Sequence, residues 1–257
     1  MAIEKNDRRD EMKSSVPEGA GYSSVAKRQL PADVVYSILA HDLKGPVGNM
    51  LILLDLMLNE KDEMDDESLE EMLTGLRQSA ESMNDLLENF IFWIRMGNFD
   101  FTVKPKMLSL ASVVSSNIRS LSGLARKKNI RIEVDIPDGL SVSADEYLIN
   151  TVLRNIIHNS LKFTGKNGVV VISATDKGGF VSVSIKDNGI GMNDEEVSKL
   201  FDPNEHFTTR GTEMESGSGL GLYFCKEFIE KNGGRISVDS QKGIGTDLRF
   251  TIPVSDS

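Results

Sequence analysis

Cysteine is almost missing from the 257-residue chain: Cys225 stands alone, so no disulfide frames the fold. With three histidines and no cluster of Cys and His, a structural zinc site is excluded as well. A lone thiol fits a reducing compartment, and a cytoplasmic protein is expected. An excess of positive charge is also lacking: 29 Lys and Arg stand against 39 Asp and Glu, a net charge of −10. Binding to nucleic acid by phosphate neutralisation is therefore not expected, and no local basic patch restores it. Long apolar runs are absent. The most apolar stretch, residues 50–58, is interrupted by Asp55 and falls far short of the ~20 residues a membrane span requires. The first thirty residues are polar, without the apolar centre of a secretory signal.

What is present is an ordinary globular balance, 39% hydrophobic and 26% charged, over a length that suits two folded units. Residues 1–30 are charged and then rich in Ser, Gly and Pro, a flexible N-terminal tail too short for a sensor domain. From Asp33, apolar residues recur three and four apart at Val34, Val35, Ile38, Leu43, Val47, Met50, Leu51, Leu54 and Leu58. After a polar break at 59–68 the pattern resumes at Leu69 and continues through Met72, Leu76, Met83, Leu87, Phe90 and Ile94. This spacing predicts a hairpin of two long amphipathic helices. Each helix keeps an apolar stripe with too little partner surface, so two copies are expected to pair as a dimeric four-helix bundle. Acidic residues crowd between Glu60 and Glu71 and read as a solvated turn.

Beyond a linker at 97–105 the pattern becomes mixed. Helices are expected at 108–125, 144–163 and 219–231, the last closed by Gly233 and Gly234. Strands are expected at 130–136, 169–174, 180–185, 235–239 and 246–252, the second and third joined by a Gly-Gly turn. The organisation that follows is multidomain: a tail at 1–30, an all-α hairpin at 31–99, and an α/β sandwich at 107–255 with helices packed on a sheet.

Several local patterns carry chemistry. Asp187-Asn188-Gly189-Ile190-Gly191 follows a strand, and Gly217-Ser218-Gly219-Leu220-Gly221-Leu222 opens a helix. Glycines ahead of a helix let backbone N–H groups approach a phosphate, whose charge the helix dipole favours. Either cluster alone fits a plain tight turn. The second lacks the parallel strand of a dinucleotide fingerprint, and no Gly-Lys-Ser/Thr phosphate loop is present. Asn155 and Asn159, four apart, share one helix face; an amide oxygen is a hard ligand suited to magnesium. Lys162, three further on, could reach a phosphate there as a point charge or be an ordinary surface lysine. Asn193 and Glu196 have the spacing of a capping box for a short helix in the polar stretch 193–216.

His41 is set apart by its neighbours. The ring of Pro46 clashes with the carbonyl of Asp42, four residues earlier, so the helix should bend beside His41 and leave the imidazole exposed. Asp42 can take the proton of one ring nitrogen and leave the other as nucleophile.

The order of these segments is more specific than any one of them. His41-Asp42-Leu43-Lys44-Gly45-Pro46, then 155–164, then 187–191, then Phe201 and Phe207, then 217–222, resembles the sensor histidine kinases over about residues 33–254. The resemblance implies a four-helix dimer bundle followed by the α/β sandwich ATP-binding domain shared with several other ATPases. It also implies the activity: His41 is phosphorylated from ATP within a homodimer and passes the group to an aspartate of a response regulator receiver domain. In its terms His41, Asp42 and Lys44 are catalytic, Lys44 holding the incoming phosphate. Asn155, Asn159 and Lys162 face the phosphates, with Asn159 holding Mg2+. Asp187 takes the adenine amino proton, Gly189 and Gly191 give the base room, and Thr246 is a second adenine-side contact. Residues 193–216 form a lid anchored by Phe201 and Phe207, in which Arg210 reaches the γ-phosphate and Gly217, Gly219, Leu220 and Gly221 line the phosphates.

No sensor domain is expected ahead of the hairpin, so the input comes from a separate sensor protein or from a longer chain of which this is a part. Two other readings share the ATPase fold: an ATP-operated conformational clamp, which has no His41 hairpin, and an inactive dimeric scaffold, against which the intact Asn159 and Asp187 argue. The chain departs from the kinases at Gly45, where many relatives carry the Thr or Asn thought to orient water for dephosphorylating the partner. Glycine has no side chain for this. The lifetime of the phosphate on the cognate regulator is therefore expected to stay near spontaneous decay when the unphosphorylated protein is added; a severalfold shortening would show that Gly45 does not disable the reaction.

Overall fold

The computed structural model describes residues 32–59, 64–97, 102–202, 209–213, 215, 219 and 221–254. The expected tail at 1–30 lies outside the described residues. The chain opens with two helices, α1 (Ala32–Asn59) and α2 (Asp66–Gly97), packed on each other as the periodicity predicts. Helix α1 runs through Pro46 as one assigned element. Asp65 receives the Ser68 amide at 2.8 Å, and Asp66 and Glu67 lie in the first turn of α2, where negative charge complements the helix dipole. Between the helices the Asn49 side-chain amide donates to the buried Ser79 hydroxyl at 2.8 Å, and Gly75 leaves room for Leu53. No helix among the described residues is long and apolar enough to cross a membrane.

The second part contains β1 (Lys106–Ser109), α3 (Leu110–Lys127), β2 (Arg131–Asp135), β3 (Ser141–Ala144), α4 (Glu146–Phe163), β4 (Val169–Asp176) and β5 (Phe180–Asp187). The short α5 (Asp194–Lys199), α6 (Gly221–Lys231), β6 (Ile236–Gln241) and β7 (Gly245–Pro253) follow. Five strands form one sheet in the order β2-β4-β5-β7-β6, antiparallel except for the parallel β2–β4 pair; β1 and β3 make a separate antiparallel ribbon. Alternate residues of the central strands, among them Val170, Ile172, Val183, Ile185, Leu248 and Phe250, are buried. They share a core with Leu148, Val152, Ile156 and Leu161 of α4 and with Phe224 and Phe228 of α6. The period of two on the strands and of 3.6 on the helices meet at that layer.

Three differences from the sequence reading have local causes. Residues 106–109 are a strand, so the helix expected from 108 begins instead at Leu110, where Ser109 caps it, accepting the Ser112 amide at 3.4 Å. The β1–β3 ribbon has only four residues per strand, too few to give an alternation that can be read. Helix α4 starts at Glu146 because Asp145 caps the amides of Tyr147 and Leu148. The β4–β5 turn is as expected, with Gly178 and Gly179 both at positive φ, +68° and +91°, the requirement of a tight hairpin turn.

Phe228 is fully buried where α6 meets the sheet. Phe228→Ala is expected to lower stability by about 3–5 kcal/mol, read from chemical denaturation; a loss below ~1 kcal/mol would show that α6 does not pin this core.

Candidate nucleotide-binding site

Asp187 ends the central strand β5 and is buried. Burial pushes its carboxyl above the ordinary aspartate value, against the pull of three donors: the amides of Gly189 and Thr246 and the Ser160 hydroxyl. Both amides reach the same oxygen, Oδ1, at 2.9 and 3.2 Å. A carboxylate accepts about four hydrogen bonds, so Asp187 keeps capacity for a donor from a ligand. The surrounding loop admits only small residues. A Cβ on Gly189 would overlap the Phe163 carbonyl, and one on Gly191, at φ +58°, the Gln241 carbonyl. Gly245, at φ +135°, lies as close to the Asp187 carbonyl. Thr246 is held from the side: its hydroxyl meets Ser240 Oγ at 2.9 Å, and Ser240 also accepts the Met192 amide at 2.9 Å and donates to the Gly245 carbonyl at 3.0 Å.

One turn of α4 away, the Asn159 side-chain amide donates to Asn155 Oδ1 at 3.1 Å. Asn155 thus orients Asn159, whose own Oδ1 is left as a hard acceptor. Gly221 at the start of α6 packs so closely on the Asn155 amide that a Cβ there would come 2.5 Å from its nitrogen. Lys162 is buried, with its ammonium 4.9 Å from the centre of the Phe163 ring. Among the described residues no three Asp, Glu, His or Cys side chains gather to hold a metal. A single amide oxygen nevertheless fits magnesium, which keeps several waters and takes its remaining ligands from phosphates.

Arg210 is exposed, and Gly219 adopts φ +71°. Gly217, Leu220 and Phe207 lie outside the described residues. Phe201 packs under the Lys226 ammonium, 5.8 Å from the ring centre. The capping box forms as the sequence predicts: the Asn193 side chain accepts the Glu196 amide, and Glu196 accepts the Asn193 amide, both at 2.8 Å. Lys242 then ties Glu196 to the β6–β7 turn at 3.2 Å. His41 and Asp42 lie on α1, but their side chains are outside the described residues. Lys44 and Gly45 are exposed on α1, and Gly45 has open space where a side chain would stand. A cleft of about 1570 Å³ has Asn155, Asn159, Lys162, Asp187, Arg210, Gly219 and Thr246 in its lining, together with Gly45, Pro46 and Asn49 of α1. Cys225 faces the core, where burial pushes its thiol up, so it is no nucleophile.

Sequence reasoning missed Ser160 and Ser240, and it missed Lys128. The ammonium of Lys128 is fully buried and donates to the carbonyls of Leu161 and Lys162 at 3.0 and 2.8 Å and to Thr212 Oγ1 at 2.8 Å. It also pairs with Glu215 at 2.6 Å. Burial works to raise the Glu215 carboxyl, yet Lys128 and nearby amides outweigh it and hold the group below the ordinary carboxylate value.

Residues 144–256 match the family described as histidine kinase-, DNA gyrase B- and HSP90-like ATPase. The adaptive-response sensory kinase SasA of Synechocystis sp. is 32% identical over 231 residues, an alignment covering 86% of this chain and 59% of the relative; the chain thus spans about three-fifths of that relative's length. Among solved structures, a nucleotide-free form of the catalytic domain of the histidine kinase ThkA is 30% identical, with a TM-score of 0.52 over 58% of this chain and 95% of that domain. ThkA in complex with the response regulator protein TrrA shares the fold over 86% of this chain and 61% of its own, with a TM-score of 0.63 at 23% identity.

Asp187→Ala is expected to reduce nucleotide affinity at least tenfold, because a hydrogen bond to a charged group is worth ~1.5–3 kcal/mol. Calorimetric titration checks this, and unchanged affinity would reject Asp187 as the adenine reader.

Proposed function

The chain belongs to the sensor histidine kinase family, and from that we propose that it is an ATP-dependent protein histidine kinase that phosphorylates His41 within a homodimer and passes the group to an aspartate on a response regulator receiver domain. The observation that carries this reading is the cleft whose lining includes both Asp187, Asn159, Lys162 and Arg210 and the Gly45–Pro46 segment of α1, a few residues beyond His41.

At the adenine end, Asp187 accepts the amino group of the base and Gly189 and Gly191 leave room for its ring; Thr246 is a second contact. At the other end, Lys162, Arg210 and the amides beside Gly217, Gly219, Leu220 and Gly221 balance phosphate charge. Asn159, oriented by Asn155, would hold Mg2+, which supplies further charge neutralisation when bound. Asp42 accepts the N–H of the His41 ring, so the other nitrogen presents its lone pair to the γ-phosphorus. A nitrogen–phosphorus bond forms, the bond to the bridging oxygen breaks, ADP leaves, and the ring proton passes to Asp42. Lys44 steadies the incoming phosphate.

Dimerisation is supported by what the hairpin leaves uncovered. Leu51, Ile52 and Leu58 are 57%, 60% and 76% exposed, and Leu73, Leu87 and Ile94 of α2 are exposed too. Covering that stripe with a second hairpin gives the four-helix bundle. The proposed division is a hairpin at 31–99 and an ATP-binding domain at 107–255. ATP as donor fits a reaction in the cytoplasm, and a separate sensor protein is a further proposed partner.

Incubation with γ-labelled ATP is expected to give protein-bound phosphate that is labile in acid, as a phosphoramidate is. His41→Gln should bind ATP normally and take up no label. Persistent acid-labile labelling of that variant would overturn His41 as the acceptor.

A further inference from the structure

Lys128 holds the most deeply buried charge among the described residues, with 0% exposure, and neither the adenine nor the phosphate chemistry above uses it. Its three donors have a particular set of partners. Two go to the Leu161 and Lys162 carbonyls, in the last turn of α4, where no intrahelical donor exists and the dipole is negative. The third goes to Thr212, and the charge is balanced by Glu215. Both belong to the segment 209–215, which also carries Arg210.

The same segment is fastened from its own side. The Thr212 amide donates to the Lys162 carbonyl at 3.1 Å and its hydroxyl to the Thr164 carbonyl at 2.9 Å. The Gly211 amide donates to the Glu215 carbonyl at 2.9 Å, and the Glu213 amide to Glu215 Oε2 at 2.8 Å. Gly211 lies against the stem of Lys162, where a Cβ would come 2.7 Å from Lys162 Cγ. Lys127 adds an outer pair to Glu213 at 2.8 Å.

A buried ion pair is a poor way to stabilise a core, since apolar residues of equal volume do as well or better; what it gives is a fixed arrangement of the parts it joins. Here the parts are the helix end that carries Asn159 and Lys162 and the root of the strand of chain that carries Arg210. We propose that Lys128 is a positioning residue for the triphosphate: by clamping Thr212 and Glu215 on the end of α4, it sets Arg210 and Lys162 on the same phosphate. The inference rests on the ATP reading of the site. Lys128 touches no group of the adenine pocket, so its action is confined to the phosphate end.

The test is calorimetric titration of the full chain with adenosine and with a non-hydrolysable ATP analogue, for the parent, Lys128→Met, Glu215→Gln and the double variant. Lys128→Met is expected to weaken the ATP analogue by about tenfold or more while adenosine stays within about twofold of the parent. The double variant should lose no more than Lys128→Met alone, because both changes break one unit. In the labelling assay the KM for ATP should rise for Lys128→Met and be partly restored in Lys128→Arg. Equal losses for both ligands, or no loss for either, would overturn the assignment. Should Lys128→Met not fold, Glu215→Gln and Thr212→Val carry the same test from the other side of the clamp: a loss confined to the ATP analogue supports it, and unchanged selectivity overturns it. A parent that binds neither ligand would overturn the nucleotide reading itself, and this inference with it.

Discussion

The last carbonyls of a helix find no amide within it, and in α4 they are taken by three segments far apart in sequence. The Leu161 carbonyl receives Lys128, and that of Lys162 receives both Lys128 and the Thr212 amide. The Phe163 carbonyl receives the Ile190 amide, and that of Thr164 the Thr212 hydroxyl. The helix that bears Asn155, Asn159 and Lys162 therefore holds the Asp187 loop and the 209–215 segment on its end. Buried carbonyls left unpaired would be costly, so this one constraint fixes where the Asp187 loop and the 209–215 segment lie.

Close approach makes the arrangement possible. The Asp187 loop reaches the Phe163 carbonyl and the β6–β7 turn only because Gly189, Gly191 and Gly245 present no Cβ. Glycine at 211 likewise lets the 209–215 segment lie against the Lys162 side chain. Around them, hydroxyls finish the pairing: Ser160 on Asp187, and Ser240 between Thr246, Met192 and Gly245. The site is thus built mainly from backbone, with few charged side chains, and each of those is held by a named partner or faces the cleft.

Much of this was legible in the sequence where the signal is local. Asn155, Asn159 and Lys162 are spaced along one helix, Asn193 and Glu196 cap one turn, Gly178 and Gly179 make one hairpin, and Gly233, at φ +77°, closes α6 as expected. The long helices and the central strands were legible for the same reason, since burial on one face repeats over many residues. The β1–β3 ribbon was not, because four residues per strand give no period. Nor was the clamp: Lys128 follows Arg126 and Lys127 with no local pattern to set it apart, while Thr212 is 84 positions away. Ser160 and Ser240 carry no pattern either; only the fold brings them to Asp187 and Thr246.

The central claim is that one helix end carries two separate attachments, the Asp187 loop through Ile190 and the 209–215 segment through Thr212. Amide hydrogen exchange at these two residues, measured on the full chain with adenosine and with a non-hydrolysable ATP analogue, tests it most directly. The account predicts that adenosine slows exchange at Ile190 alone and that the ATP analogue slows it at both. Protection of Thr212 by adenosine as strong as that given by the ATP analogue would contradict it.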